Sequence, residues 1–256
     1  MLLALDAGNS NVTIGVFEGR ALVARWRLRT IHEQTADEWG VLLRNLFLLA
    51  ALDTATVHGI IIASVVPQLN SSLAGMSERY FGVGPLFVNS ETATGLTLLY
   101  DNPREVGADR IVNGVAAFEK YGGPCVVVDL GTAITFDAVS AQAEYLGGII
   151  CPGIGISTAA LFSRTARLPM VELREPARLI GTNTVDSIQS GLYYGFAGLI
   201  DGVLDRLVEA LGPRTKMVST GGQAHLILPA SRHLKIANED LTLEGLAIIW
   251  ERNRRQ

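Results

Sequence analysis

The sequence predicts an α/β protein made of two duplicated β-β-β-α-β-α-β domains facing a central cleft. Two observations carry that reading. Residues 126–139 run as three valines, an acid and a small turn, after which Ile134, Phe136 and Ala138 alternate with Ala133, Thr135 and Asp137. That is a buried strand, a tight turn and a half-buried strand. The chain opens with the same device: an apolar run over 2–5, then Asp6-Ala7-Gly8-Asn9-Ser10, then Val12, Ile14 and Val16 alternating with Asn11, Thr13 and Gly15. Two copies of one hairpin place the domains at 1–115 and 116–256.

The remaining elements follow in order. Residues 21–28 read as a third strand, and Thr35-Ala36-Asp37-Glu38 has the spacing of a capping box. Trp39, Leu42, Leu43, Leu46, Phe47 and Ala50 recur at helical intervals behind it. Residues 57–64 form a fourth strand, Pro67 opens a helix to about Tyr80, and 85–88 make a short fifth strand. Asn102-Pro103 marks a loop into a helix that ends near Lys120. Strands at 125–129, 133–139 and 143–151 then repeat the opening pattern. A glycine-rich loop at 152–157 enters a helix, and Thr182-Asn183-Thr184 precedes a long helix over 185–211. A strand at 216–219, a Gly221-Gly222 loop where a flat ligand such as adenine could rest, and a closing helix at 239–250 complete the second domain. Arg252, Arg254 and Arg255 are expected to leave that last helix frayed and solvated.

Composition narrows the classes of function. Of the 256 residues, 48% are hydrophobic and 18% charged, as in a folded globular chain. Asp6 interrupts the first apolar run, so neither a signal peptide nor a membrane span is expected. The formal net charge of −4 argues against wholesale nucleic-acid binding, whose phosphates demand a basic face. Cys125 and Cys151 have no metal-like spacing and read as small core residues of a reducing cytoplasm. His32, His58, His225 and His233 form no ligand pair and flank no nucleophile turn.

Carboxylates and glycine turns are left to carry the chemistry. A buried strand ending in an aspartate points a carboxylate out at the sheet rim, and Gly131 lets turn amides approach an anion. Alone, Asp129-Leu130-Gly131-Thr132 also suits an ordinary hairpin turn. As one of a pair, such hairpins suit a nucleotide triphosphate and its Mg2+, each contributing an acid near the metal. The segment Gly107-Ala108-Asp109-Arg110 sets an acid and a base side by side at a helix start. Its bland reading is an acidic first turn with Arg110 as a solvated partner. Gly191, Gly195, Gly198 and Gly202 recur along the long helix, each costing about 1 kcal/mol relative to alanine. A close packing partner, within the fold or across a dimer, would offset that.

Taken together, DAGNSN at 6–11, VGADRIVN at 106–113, VVDLGTAITFD at 127–137, GGIICPG at 147–153, STGG at 219–222 and LEGL at 243–246 resemble the type III pantothenate kinases. These belong to the acetate-and-sugar-kinase, chaperone and actin superfamily, with its ribonuclease H-like, actin-like ATPase fold. The resemblance runs almost end to end and implies ATP-dependent phosphorylation of pantothenate. It implies that Asp6, Ala7, Gly8 and Asn9, with Ser10, Asn11, Val12 and Thr13, cradle the ATP phosphates, touched also by Thr132. Asp129, with Asp6, would serve the metals, including a potassium or ammonium ion. Tyr100, Gly107, Ala108, Asp109 and Arg110 would line the pantothenate site, with Asp109 as proton acceptor. Thr184 would contact pantothenate, and a homodimer would form around the long helix. Gln223 stands where an apolar residue is expected after the paired glycines. Two other classes compete: a regulatory protein on the same scaffold, like the related Bvg accessory factor, and an actin-like ATPase switch. An adaptor would not need Asp6, Asp109, Arg110, Asp129 and Thr132 as a set, and a switch has no role for the 107–110 loop.

Overall fold

The computed structural model describes residues 1–165 and 168–254. By its contacts the chain divides into two units, Met1–Ala116 with Leu241–Gln256, and Ala117–Asp240. In the first, β1 (Leu2–Ala7), β2 (Asn11–Glu18) and β3 (Ala21–Arg29) form an antiparallel meander. Helix α1 (Ala36–Leu49), β4 (Gly59–Ser64), α2 (Pro67–Met76) and β5 (Leu86–Phe87) follow. A short strand β6 (Thr97–Leu98) precedes α3 (Ala108–Tyr121), which carries the boundary between the units. The first sheet is ordered β3-β2-β1-β4-β5, with β4 parallel to both β1 and β5.

The second unit repeats this order. Its strands are β7 (Cys125–Leu130), β8 (Ala133–Val139), β9 (Glu144–Pro152), β10 (Lys216–Thr220) and β11 (Ile236–Ala237), arranged β9-β8-β7-β10-β11. Strands β1 and β7 even share one burial pattern, in which Asp6 and Asp129 are the only residues not fully buried. Helices α4 (Ile154–Ser163) and α5 (Thr184–Leu211) lie between β9 and β10, so this unit has two helices where the repeat predicts one. A short α6 (Ala224–Ile227) follows β10.

The period-two alternation of β1 decides what lies on each face of its sheet. Leu3 and Leu5 pack with Trp39, Leu43 and Phe47 of α1, all fully buried. The predicted capping box starts that helix: Glu38 N–H donates to Thr35 Oγ1 at 3.3 Å, and Thr35 N–H to Glu38 Oε2 at 2.7 Å. Leu2 and Ala4 face the other way, against Val112 and Val115 of α3 and Leu243, Leu246 and Ile249 of α7 (Leu241–Asn253).

That last helix corrects two expectations. Residues 241–253, assigned from the sequence to the second domain, pack on the first sheet. A Cβ built on Gly59 of β4 would lie 2.1 Å from the Trp250 ring, and one on Gly245 would lie 2.4 Å from the Val112 carbonyl oxygen. Nor is its end frayed, because Arg252 Nη1 donates to the Thr94 carbonyl and Asn253 Nδ2 to Ala93 O at 3.0 Å. Arg255 lies outside the described residues. No helix among those described is long and apolar enough to cross a membrane.

Candidate active site

The first hairpin occupies the rim of the first sheet. Asp6 follows Leu2 and Ala4 at two-residue steps, so its carboxylate is on the face that α3 and α7 cover. The buried Ala7 ends β1, and the turn closes with Gly8 N–H donating to Asn11 O at 3.0 Å. Asn9 and Ser10 are exposed at the tip; Asn11 and Thr13 are half-buried on β2 and Val12 is buried between them. Thr30, just past β3, grips the turn: its N–H donates to Ser10 O at 3.0 Å and its Oγ1 to Gly8 O at 2.6 Å. The sequence reading missed this residue, since its contact arises only when β3 docks on β2.

The 106–110 loop belongs to the same unit. Val65, whose N–H donates to Ala7 O at 3.0 Å, lies 3.5 Å from where a Gly107 Cβ would be. The loop therefore abuts the strand end next to the hairpin. That Cβ would also fall 2.5 Å from Asp109 Oδ1, so the carboxylate lies against bare backbone at Gly107. Asp109 Oδ1 accepts from Arg110 N–H at 2.8 Å, and Gly107 O accepts from the N–H groups of Arg110 and Ile111 at 3.1 and 3.2 Å. Ala108 is buried in the apolar cluster and Tyr100 is half-buried ahead of the loop. Arg110 is only 7% exposed, so the bland reading of a solvated partner does not hold. Asn113, from the same motif, accepts from Thr242 Oγ1 at 2.7 Å, which ties α3 to the closing helix.

In the second unit Asp129 shares its face of β7 with Val127, and its carboxylate meets the loop after β10. A Cβ on Gly221 would lie 2.4 Å from Asp129 Oδ1 and 2.7 Å from the Leu130 backbone, and this glycine has φ +89°. Gln223 N–H donates to Leu130 O at 3.4 Å, which holds the paired-glycine loop beside the second hairpin. Thr132 is exposed at the tip, and its carbonyl accepts from Gly153 N–H at 3.1 Å. Asp137, fully buried on the same face, accepts from Thr135 Oγ1 at 2.9 Å and Tyr145 O–H at 2.7 Å. Alternation exposes its position in the sequence but not its partners.

Thr184, expected just before the long helix, is its first residue. Asn183 caps it, Oδ1 accepting from Asp186 N–H at 2.9 Å. An open hollow of about 580 Å³ lies beside it, lined by Leu168, Gly181, Thr182, Asn183, Ser187 and Ile188. Farther along α5, Asp201 fixes the turn before β11. Burial alone would raise its pKa, but bonds from Ser231 Oγ (2.6 Å) and Arg232 N–H (2.9 Å), with the Arg232 guanidinium, hold it below the usual range. Asp205 is lowered as well, by His233 at 2.6 Å and Arg232 at 2.9 Å.

No three His, Cys, Asp or Glu side chains among the described residues cluster to hold a metal ion. A Mg2+ that keeps nucleotide phosphates and waters as most of its ligands needs only one or two protein carboxylates, and Asp6 near the end of β1 is one such group in the first unit. Burial pushes the Cys125 thiol up to about 12, leaving it protonated and inert.

A solved structure with a similar fold is that of the activator of the 2-hydroxyisocaproyl-CoA dehydratase from Clostridium difficile with bound ADPNP. The match has a TM-score of 0.60 at 12% identity and covers 100% of this chain and 96% of that one. The fold is accordingly the actin-like ATPase fold. A family model for type III pantothenate kinase matches residues 2–206. Type III pantothenate kinase from Solibacter usitatus is 66% identical, covering 99% of this chain and 97% of that protein. The one from Koribacter versatilis is 57% identical, covering 99% and 96%. The chain belongs to the type III pantothenate kinase family.

Proposed function

We propose that this chain phosphorylates pantothenate with ATP, giving 4′-phosphopantothenate at the entry to coenzyme A biosynthesis. The observation that carries the reading is 66% identity to a kinase of this name over 99% of the chain. Residues 6–13 cradle the phosphates. A loose phosphoryl-transfer transition state asks mainly for alignment and charge stabilisation. Asp109 accepts the proton of the primary hydroxyl as the phosphoryl group arrives, and Gly107 leaves its carboxylate the room to do so. Arg110, the next helical residue, points about 100° away from Asp109 and receives the carboxylate at the other end of the substrate. Tyr100 and Ala108 complete that pocket.

Bound Mg2+ would neutralise the phosphate oxygens, and Asp6 is the carboxylate offered to it. A carboxylate beside a polyphosphate repels it unless a cation intervenes, so Asp129 calls for potassium or ammonium. The exposed glycine stripe of α5 supports a homodimer, and the two unpaired cysteines fit a cytoplasmic protein. The test is mass-spectrometric detection of phosphopantothenate from purified protein, ATP and pantothenate. A product that forms with the wild type and vanishes with Asp109→Asn supports the reading; no product with the wild type refutes it.

A further inference from the structure

We propose that Thr30 is a positioning residue that holds the first hairpin turn in its anion-binding shape. The inference rests on the reading of residues 6–13 as the ATP phosphate cradle. Carbonyl oxygens are the negative ends of peptide dipoles, so a turn that is to accept a polyphosphate must keep them turned away from it. Two carbonyls of this turn are engaged by one residue, Gly8 O by Thr30 Oγ1 at 2.6 Å and Ser10 O by Thr30 N–H at 3.0 Å. Because the trans peptide is planar, fixing Gly8 C=O towards Thr30 fixes Asn9 N–H on the opposite side. Thr30 thus decides which edge of the turn is offered as donors.

The internal duplication separates this role from a need of the fold. In both repeats the residue just past the third strand donates its N–H to the turn: Thr30 to Ser10 O, and Gly153 to Thr132 O at 3.1 Å. The second turn has the same backbone bond, and a Cβ on Gly153 would sit 2.1 Å from Thr132 O. The first turn is longer, with residues 8–11 between the pairs Ala7↔Val12 and only 131–133 between Leu130↔Ile134. The Thr30 hydroxyl takes a second carbonyl of this longer turn, Gly8 O. The backbone bond makes the fold, and the hydroxyl adds the shape of the longer turn.

Thr30→Val keeps the branched shape and the N–H and removes only the hydroxyl donor, whereas Thr30→Ser keeps the donor. Binding of adenylyl imidodiphosphate to the full chain should weaken about three- to tenfold in T30V, the effect of one hydrogen bond. KM for ATP should rise by the same factor while KM for pantothenate stays within about twofold, and T30S should restore both. Wild-type nucleotide binding in T30V overturns the proposal. So does a parallel loss of both substrates together with melting temperature that serine does not restore. Gly8→Val, which obstructs the turn directly, separates the two ideas. Weaker nucleotide binding in G8V but not in T30V removes the clamp and leaves the cradle, while no change in either removes both.

Discussion

At the scale of single residues the account rests on Asp109 and the space kept for it. Asp109→Asn retains shape and hydrogen bonding but cannot take the hydroxyl proton, so turnover should fall by roughly 10²–10⁴ while pantothenate still binds. Steady-state kinetics beside calorimetric binding check this, and near-normal turnover would assign the base elsewhere. Gly107→Ala should act through the same carboxylate, since its new Cβ would stand 2.5 Å from Asp109 Oδ1. It should lower kcat more than it raises KM, with melting temperature little changed. Several of these residues were legible in sequence because the short motifs fix their types. The burial of Arg110 was not, since a charged residue at a helix start reads as solvated until the elements packed around it are known. Thr30 was hidden for a related reason: its partners lie some twenty residues away.

At the scale of elements, α5 gives the sharpest test. Cβ atoms on Gly191, Gly195 and Gly198 would meet nothing within 4 Å, and one on Gly202 would meet only Arg206 of the same helix. The stripe is therefore not packed on the chain's own sheet, and about 1 kcal/mol of helix propensity is forgone at each glycine. In an isolated subunit Gly195→Leu should stabilise by up to about that amount. Across a close two-fold contact it should instead overpack at a cost of ~1–3 kcal/mol or more. Sedimentation should show monomers and the kinase assay lost activity; a fully active monomer would separate activity from the dimer.

The other end of α5 carries a pH signature. The folded pKa of Asp201 lies below its unfolded value, so its contribution is complete above the ordinary aspartate range of about 4. It is lost as pH falls through the depressed value. The melting-temperature gap between wild type and Asp201→Asn should thus be wide near neutrality and close in acid. A gap that stays constant would detach Asp201 from the stability of this turn.

The whole molecule explains why the fold was readable where it was. Period-two alternation marks a strand and its buried face, and two copies of one hairpin announce the duplication, which the matching orders β3-β2-β1-β4-β5 and β9-β8-β7-β10-β11 bear out. Alternation does not encode which sheet a terminal amphipathic helix will cover. Helix α7 was therefore assigned to the wrong unit, although the glycine of its LEGL motif is the residue that lets it approach Val112. Strand β11, two residues long, carries too little pattern to be read at all. At this scale the proposed roles of the two rim aspartates differ. Asp129→Asn should weaken ATP use and blunt the response to potassium, measured as activity in potassium against sodium. An unchanged ratio would take the monovalent ion away from Asp129.

The central claim is that ATP turnover by this chain serves pantothenate, and coupled ADP release with and without pantothenate in potassium buffer tests it most directly. The account predicts ADP release that is negligible with ATP alone and rises with pantothenate to saturation. Release that proceeds equally without pantothenate, or fails with it, would contradict the account.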